Sequence, residues 1–189
     1  MYLYRCVNEE SKMADMMDRM VRAAKLDVSL YEEVEADRDA MRQAMGVVLL
    51  ASLAAGIGNF VHGGAAGLVG EALAALLGWY LWAYLTYFIG TKFLPESQTH
   101  STPGELLRTL GFASSPGLLR LLGVIPGLTG IVFAVAAVWM LITMVIAVRQ
   151  ALDYTSTARA VGVCLIGWII QAIILIPVFL WFGEVPQPS

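Results

Sequence analysis

Four stretches of about twenty mostly apolar residues constrain this chain more than anything else in it. A helix crossing the hydrocarbon core of a bilayer needs about 20 such residues. Residues 43–61 (QAMGVVLLASLAAGIGNFV), 67–90 (GLVGEALAALLGWYLWAYLTYFIG), 129–148 (TGIVFAVAAVWMLITMVIAV) and 160–182 (AVGVCLIGWIIQAIILIPVFLWF) each reach that length. In the first, Ser52/Gly56 and Ala54/Gly58 offer small faces on which another helix can pack closely. A fifth stretch, 105–125 (ELLRTLGFASSPGLLRLLGVI), carries Arg108, Arg120 and a Ser-Ser-Pro-Gly break at 114–117. Proline removes a backbone donor and clashes with the preceding turn, so a kink is expected there. The carbonyls it frees must find partners within the protein, so neighbouring helices should largely cover this segment. A re-entrant hairpin is the alternative.

Of the 189 residues, 58% are hydrophobic and only 14% charged, against about 25% charged in soluble domains. Most of the charges lie before residue 43, which divides the chain into a cytoplasmic N-terminal segment (1–42), a five-span transmembrane domain (43–182) and a short extracytoplasmic tail (183–189). The fold expected is therefore all-α: a polytopic helical membrane protein with a five-span bundle and a short amphipathic N-terminal helical segment. Lys and Arg occur in the N-terminal segment, near Lys92, and between Arg149 and Arg159; HGGAAG (62–67), GVIPGLT (123–129) and the tail have none. This alternation places the N-terminus inside and the C-terminus outside, in the inner membrane if the chain is bacterial. No apolar core of a cleaved signal peptide precedes residue 30, so an uncleaved first span is expected to direct insertion.

Within the N-terminal segment, Met13, Met16, Met17, Met20 and Ala24 fall on one face of a helix, opposite Asp15, Asp18, Arg19, Arg22 and Lys25. Asp15/Arg19 and Asp18/Arg22 are acid-before-base pairs at i,i+4. Ser29 through Glu32 has capping-box spacing and opens a second acidic stretch. The Met face, Met13, Met16, Met17 and Met20, is the candidate partner contact, or packs on the body or the membrane surface.

Three local stretches resemble the Yip-one (Ypt/Rab-interacting) domain family, in its bacterial branch: SLYEEVEAD (29–37), TLGFASSPGLL (109–119) and QALDYTSTARAV (150–161). The resemblance covers roughly 20–182 and implies five spans and a role in membrane trafficking or organisation. Eukaryotic relatives engage small GTPases. Here SLYEEVEAD occupies the place of their acidic-aromatic-glycine-proline motif without its glycine and proline, so small-GTPase binding does not carry over.

No phosphate loop, nucleophile elbow or His-Glu-x-x-His occurs, so no cofactor, no metal and no enzymatic activity are expected. A basic stripe for nucleic acid is also missing. Cys6 and Cys164 lie in unlike environments and suggest no disulfide, and His62 and His100 are expected on opposite membrane faces. Asp153 and Ser156 read as the close of one helix and the cap of the next. Trp79, Tyr80, Trp82, Tyr84 and Tyr87 surround the second span, as core and interfacial anchors.

Ionisable groups inside a bilayer are expensive, which makes Glu71, Arg120 and Gln171 the candidate intramembrane polar site. Glu71 and Arg120 fall about 6 and about 7 Å below the outer ends of their spans, similar depths that suit a pair. Arg108 falls at the inner boundary, where it is expected to snorkel to headgroups. The reading favoured is a non-enzymatic scaffold, adaptor or accessory subunit with membrane lipids, other membrane subunits or a second copy as partners. The alternative is a small transporter or channel past Glu71, Arg120 and Gln171.

Overall fold

The computed structural model describes the backbone of residues 2–58 and 60–182 and the side chains of residues 12–58 and 72–173. The chain forms helices α1 (Tyr2–Ala24), α2 (Val28–Ala36), α3 (Ala40–Gly58), α4 (Phe60–Phe88), α5 (Pro103–Ala113), α6 (Thr129–Ala151) and α7 (Thr157–Phe182). A π-helical turn, Ile89–Phe93, ends α4, and a 3-10 segment, Ser115–Val124, follows α5. Among the described residues there is no strand. HGGAAG (62–67), which reads as a connection between the first two spans, lies within α4.

Among the described residues, three helices are long and apolar enough to cross a membrane: Ala40–Gly58, Ala72–Phe93 and Thr129–Ala151. The described part of α7, Thr157–Ile173, is a shorter apolar helix. Their packing is inside-out relative to a soluble bundle. On α3, Ala44, Ala51, Ser52, Ala54, Ala55, Gly56 and Gly58 point inward, while Leu50, Leu53 and Ile57 point out. On α6, Ala136 and Thr143 are buried while Ile131, Val135 and Val138 are exposed. Small residues let backbones approach closely, and large apolar ones suit a surface solvated by lipid chains.

The third apolar stretch breaks where the proline predicts. Pro116 has no N–H to give to the Phe112 carbonyl, and Ser115 Oγ donates to that carbonyl instead, at 2.6 Å. Ser114 Oγ donates to the Leu110 carbonyl at 3.2 Å, and Thr143 Oγ1 of α6 reaches the Ala113 carbonyl at 2.7 Å. Three hydroxyls thus satisfy the backbone around the break. Beyond it the chain continues along α3 in the same direction. A Cβ on Gly111 would lie 2.6 Å from Ala44 Cβ, one on Gly117 would lie 3.0 Å from Ala51 Cβ, and one on Gly123 would lie 3.1 Å from the Gly58 carbonyl. From 44 to 58 α3 rises about 21 Å, and from 111 to 123 the partner rises about 22 Å, because the 3-10 rise is about 2.0 Å per residue. The two stay in register, with glycine at each close approach. Coverage is uneven: Leu106 through Ala113 are buried, whereas Leu121, Leu122 and Val124 are exposed.

Helices α1 and α2 form a hairpin against this body. Met20 and Ala23 of α1 and Leu30, Tyr31 and Val34 of α2 are buried in the common core. Asp27, not Ser29, caps α2: its carboxylate accepts from the Ser29 N–H at 3.0 Å and from the Ser29 hydroxyl at 2.7 Å. Glu32, the other half of the expected box, instead accepts from Gln150 of α6 at 2.8 Å.

Candidate functional site

Two constellations emerge, one within the helix bundle and one where the hairpin meets it. The first is a cavity of about 280 Å³ whose polar lining includes Ser52 of α3, Ser114 of α5, Arg120 of the 3-10 segment and Gln171 of α7. Trp79 and Trp82 close it from α4. The Arg120 guanidinium lies 5.6 Å from the centre of the Phe133 ring, a cation–π distance. Trp79 Nε1 donates to the Leu107 carbonyl at 3.0 Å, and the Trp82 ring packs over Gly167, where a Cβ would lie 2.9 Å from it. Arg120 and Gln171, about fifty positions apart in sequence, therefore line one cavity. Glu71 lies outside the described side chains, as do His62 and Cys6. The cavity can hold several waters or one small polar solute.

The second constellation is built on three arginines. Arg19, 8% exposed, donates from Nε to Glu33 at 2.9 Å and from Nη1 to Asp37 at 3.0 Å and Gln43 at 2.8 Å. Arg22 donates to Asp27 at 2.9 Å and to Glu33 at 2.6 Å. The i,i+4 partners expected from sequence are farther away, Asp15 at 3.4 Å from Arg19 and Asp18 at 4.0 Å from Arg22. The arginines therefore act between helices. Arg108 does not reach outward to headgroups. It is buried, and donates to the Val34 carbonyl at 2.8 Å and to the Glu35 carbonyl. These are carbonyls of the last turn of α2, which have no partner within their own helix, so a cation from α5 is bound where the helix dipole is negative. Burial, then Asp153, Glu105 and Glu32, push the Glu35 carboxyl up to about 7, with Arg108 opposing.

The Met face divides. Met20 is buried, Met16 packs half-buried beside Gly46 of α3, and Met13 and Met17 are exposed. The aromatic group on α4 divides likewise, Trp82 inward and Tyr80 and Tyr84 outward. Asp153 does close α6, at φ 53°. Ser156 stands at the start of α7, its carbonyl accepting from the Arg159 N–H at 3.2 Å.

Sequence reasoning missed Glu96. Its carboxylate accepts from the Thr155 hydroxyl at 2.7 Å, the Thr155 N–H at 2.9 Å and the Ser156 N–H at 3.3 Å, and those bonds hold it below the usual carboxylate range. Tyr154 Oη lies 2.9 and 2.8 Å from the Gly90 and Leu94 carbonyls. Together they tie the loop after α4 to the turn before α7. No local pattern announces a contact across about sixty residues. The Thr102–Glu105 capping box with Pro103, which starts α5, was legible and overlooked.

The helices and the docked hairpin define a multi-pass integral membrane protein. The Yip1 domain matches residues 31–184, and the chain belongs to that family. No curated protein and no solved structure matches it.

Proposed function

We propose that this Yip-type protein is a non-enzymatic membrane scaffold, adaptor or accessory subunit. Five spans carry a cytoplasmic hairpin that presents a fixed apolar contact. The observation that carries this is the clamping of α1 and α2 by Arg19, Arg22 and Arg108, which holds Met13 and Met17 exposed on a helix whose Met20 is buried. A surface held in one orientation loses little side-chain and backbone freedom when it binds. Family membership supports a membrane-organising role. The broken third segment supports five spans: its eleven α-helical and ten 3-10 residues rise about 36 Å in sum, enough for the hydrocarbon core.

Purification in mild detergent, comparing wild type with the Met13→Asp/Met17→Asp double variant, tests the reading. A stoichiometric membrane-protein partner, or a second copy, should be lost from the double variant while its helical content is unchanged. Equal recovery in both would remove the contact from this face. Ion or solute flux in liposomes, abolished by Arg120→Met or Gln171→Leu, would overturn the scaffold in favour of a path through the cavity. Glu71 and Arg120 are proposed to face each other in the outer half of the helix bundle. Glu71→Gln and Arg120→Met should each destabilise the protein, and the double variant should recover part of the loss.

A further inference from the structure

We propose that the groove between α1 and the 3-10 segment holds an acyl chain of a bilayer phospholipid from the hairpin's side of the membrane. This deepens the membrane reading above and rests on it. The depth of the hairpin is the first argument. Gln150, at one end of α6, donates to Glu32 of α2, while Trp139 Nε1 donates to the Ala24 carbonyl at 2.9 Å. Trp139 lies about 15 Å from the Thr129 end of α6 and about 18 Å from the Ala151 end. The tip of the hairpin therefore reaches half-way along a helix long enough to cross the hydrocarbon.

The chemistry of the groove is the second. Its volume is about 400 Å³, lined by Met17, Met20 and Val21 of α1, Leu119 and Leu122 of the 3-10 segment, and Trp139. Ser115 also reaches it, but its hydroxyl is spent on the Phe112 carbonyl, and the Trp139 N–H is spent on Ala24. A peptide laid here would bury backbone groups without partners, which is expensive, whereas a hydrocarbon chain asks for none. Continuity is the third. Trp139 also lines a hollow of about 520 Å³ below Leu26, against Val135, Val138 and Ile142. Those three are exposed on a spanning helix, so the groove opens onto the surface that lipid chains already solvate.

The test uses the full chain with Cys6→Ser and Cys164→Ala, in phosphatidylcholine–phosphatidylglycerol vesicles. Single cysteines at Val21, Leu122, Val138 and Arg38 carry a small fluorophore. With acyl-brominated lipid, labels at Val21, Leu122 and Val138 should lose most of their emission, and the label at Arg38 should keep it. Adding Leu119→Trp, which fills the groove, should restore emission at Val21 and leave Val138 quenched. If Val21 and Leu122 respond to aqueous iodide as Arg38 does, the groove holds water and the proposal falls. If neither quencher reaches them while bromine quenches Val138, protein covers the groove and the proposal falls alone. Failure at Val138 as well would overturn the membrane reading beneath it.

Discussion

Arg108 shows how far one side chain's role can lie from its sequence context. An arginine at the edge of an apolar stretch suggests a headgroup contact, yet this one is buried and closes the last turn of a helix more than seventy residues earlier in the chain. Arg108→Met would leave the α2 carbonyls without that donor in a dry setting. The expected loss is about 2–4 kcal/mol, read as a lower unfolding midpoint in detergent, with Arg108→Lys recovering part of it. Glu35, in that same turn, responds to pH. Its folded value of about 7 lies above the ordinary 4.5 of an unfolded glutamate, so the folded state binds its proton more tightly. That contribution is complete below about pH 4.5 and is lost as pH rises through 7. Proteolysis of the hairpin should accordingly speed up between pH 5 and pH 8, and Glu35→Gln should flatten the profile. A steeper profile in Glu35→Gln would remove the residue from the explanation.

At the scale of elements, periodicity placed the helices well and their ends less well. Apolar spacing marked α1 as amphipathic, but only the folded hairpin separates Met20, 3% exposed, from Met17, 51% exposed. Met20→Asp should undock the hairpin, at about 3 kcal/mol or more, because a carboxylate would enter the core without a partner. Met13→Asp, at a position 61% exposed and outside the groove beside α1, should change stability by about 0.5 kcal/mol or less. Amide exchange in α2 reads both, and equal protection in the two variants would show that the hairpin does not depend on that core contact. The break at Pro116 was legible because proline acts locally. That the chain then tightens to 3-10 and keeps pace with α3 was not, because the rise is selected by glycine contacts with Ala44, Ala51 and Gly58. HGGAAG likewise reads as a connection, yet it lies inside α4. Glycine weakens a helix by about 1 kcal/mol, an amount tertiary context overrides.

The whole molecule raises the question of topology, which helix lengths alone leave open. The five-span arrangement, with the N-terminus inside, predicts that single cysteines at Gly64, Gln98 and Gln187 label from outside, inside and outside. Matching sides for Gln98 and Gln187 would require another count. Sequence by itself determined the solvent: stretches of twenty apolar residues, small faces on α3 and charges gathered before residue 43 admit a helical membrane protein and little else. It also determined where the third stretch breaks, and brought Arg120 and Gln171 forward as polar groups to be housed. These are properties of short windows, and hydropathy, proline and periodicity act over such windows. Tertiary structure alone decided the partners. It turned Arg19 and Arg22 from local i,i+4 pairs into a clamp, brought Arg120 and Gln171 to one cavity, and set Glu96 on the turn before α7. Such contacts join residues from 11 to 59 positions apart. Helix packing in three dimensions selects them, and no spacing rule along the chain encodes that distance.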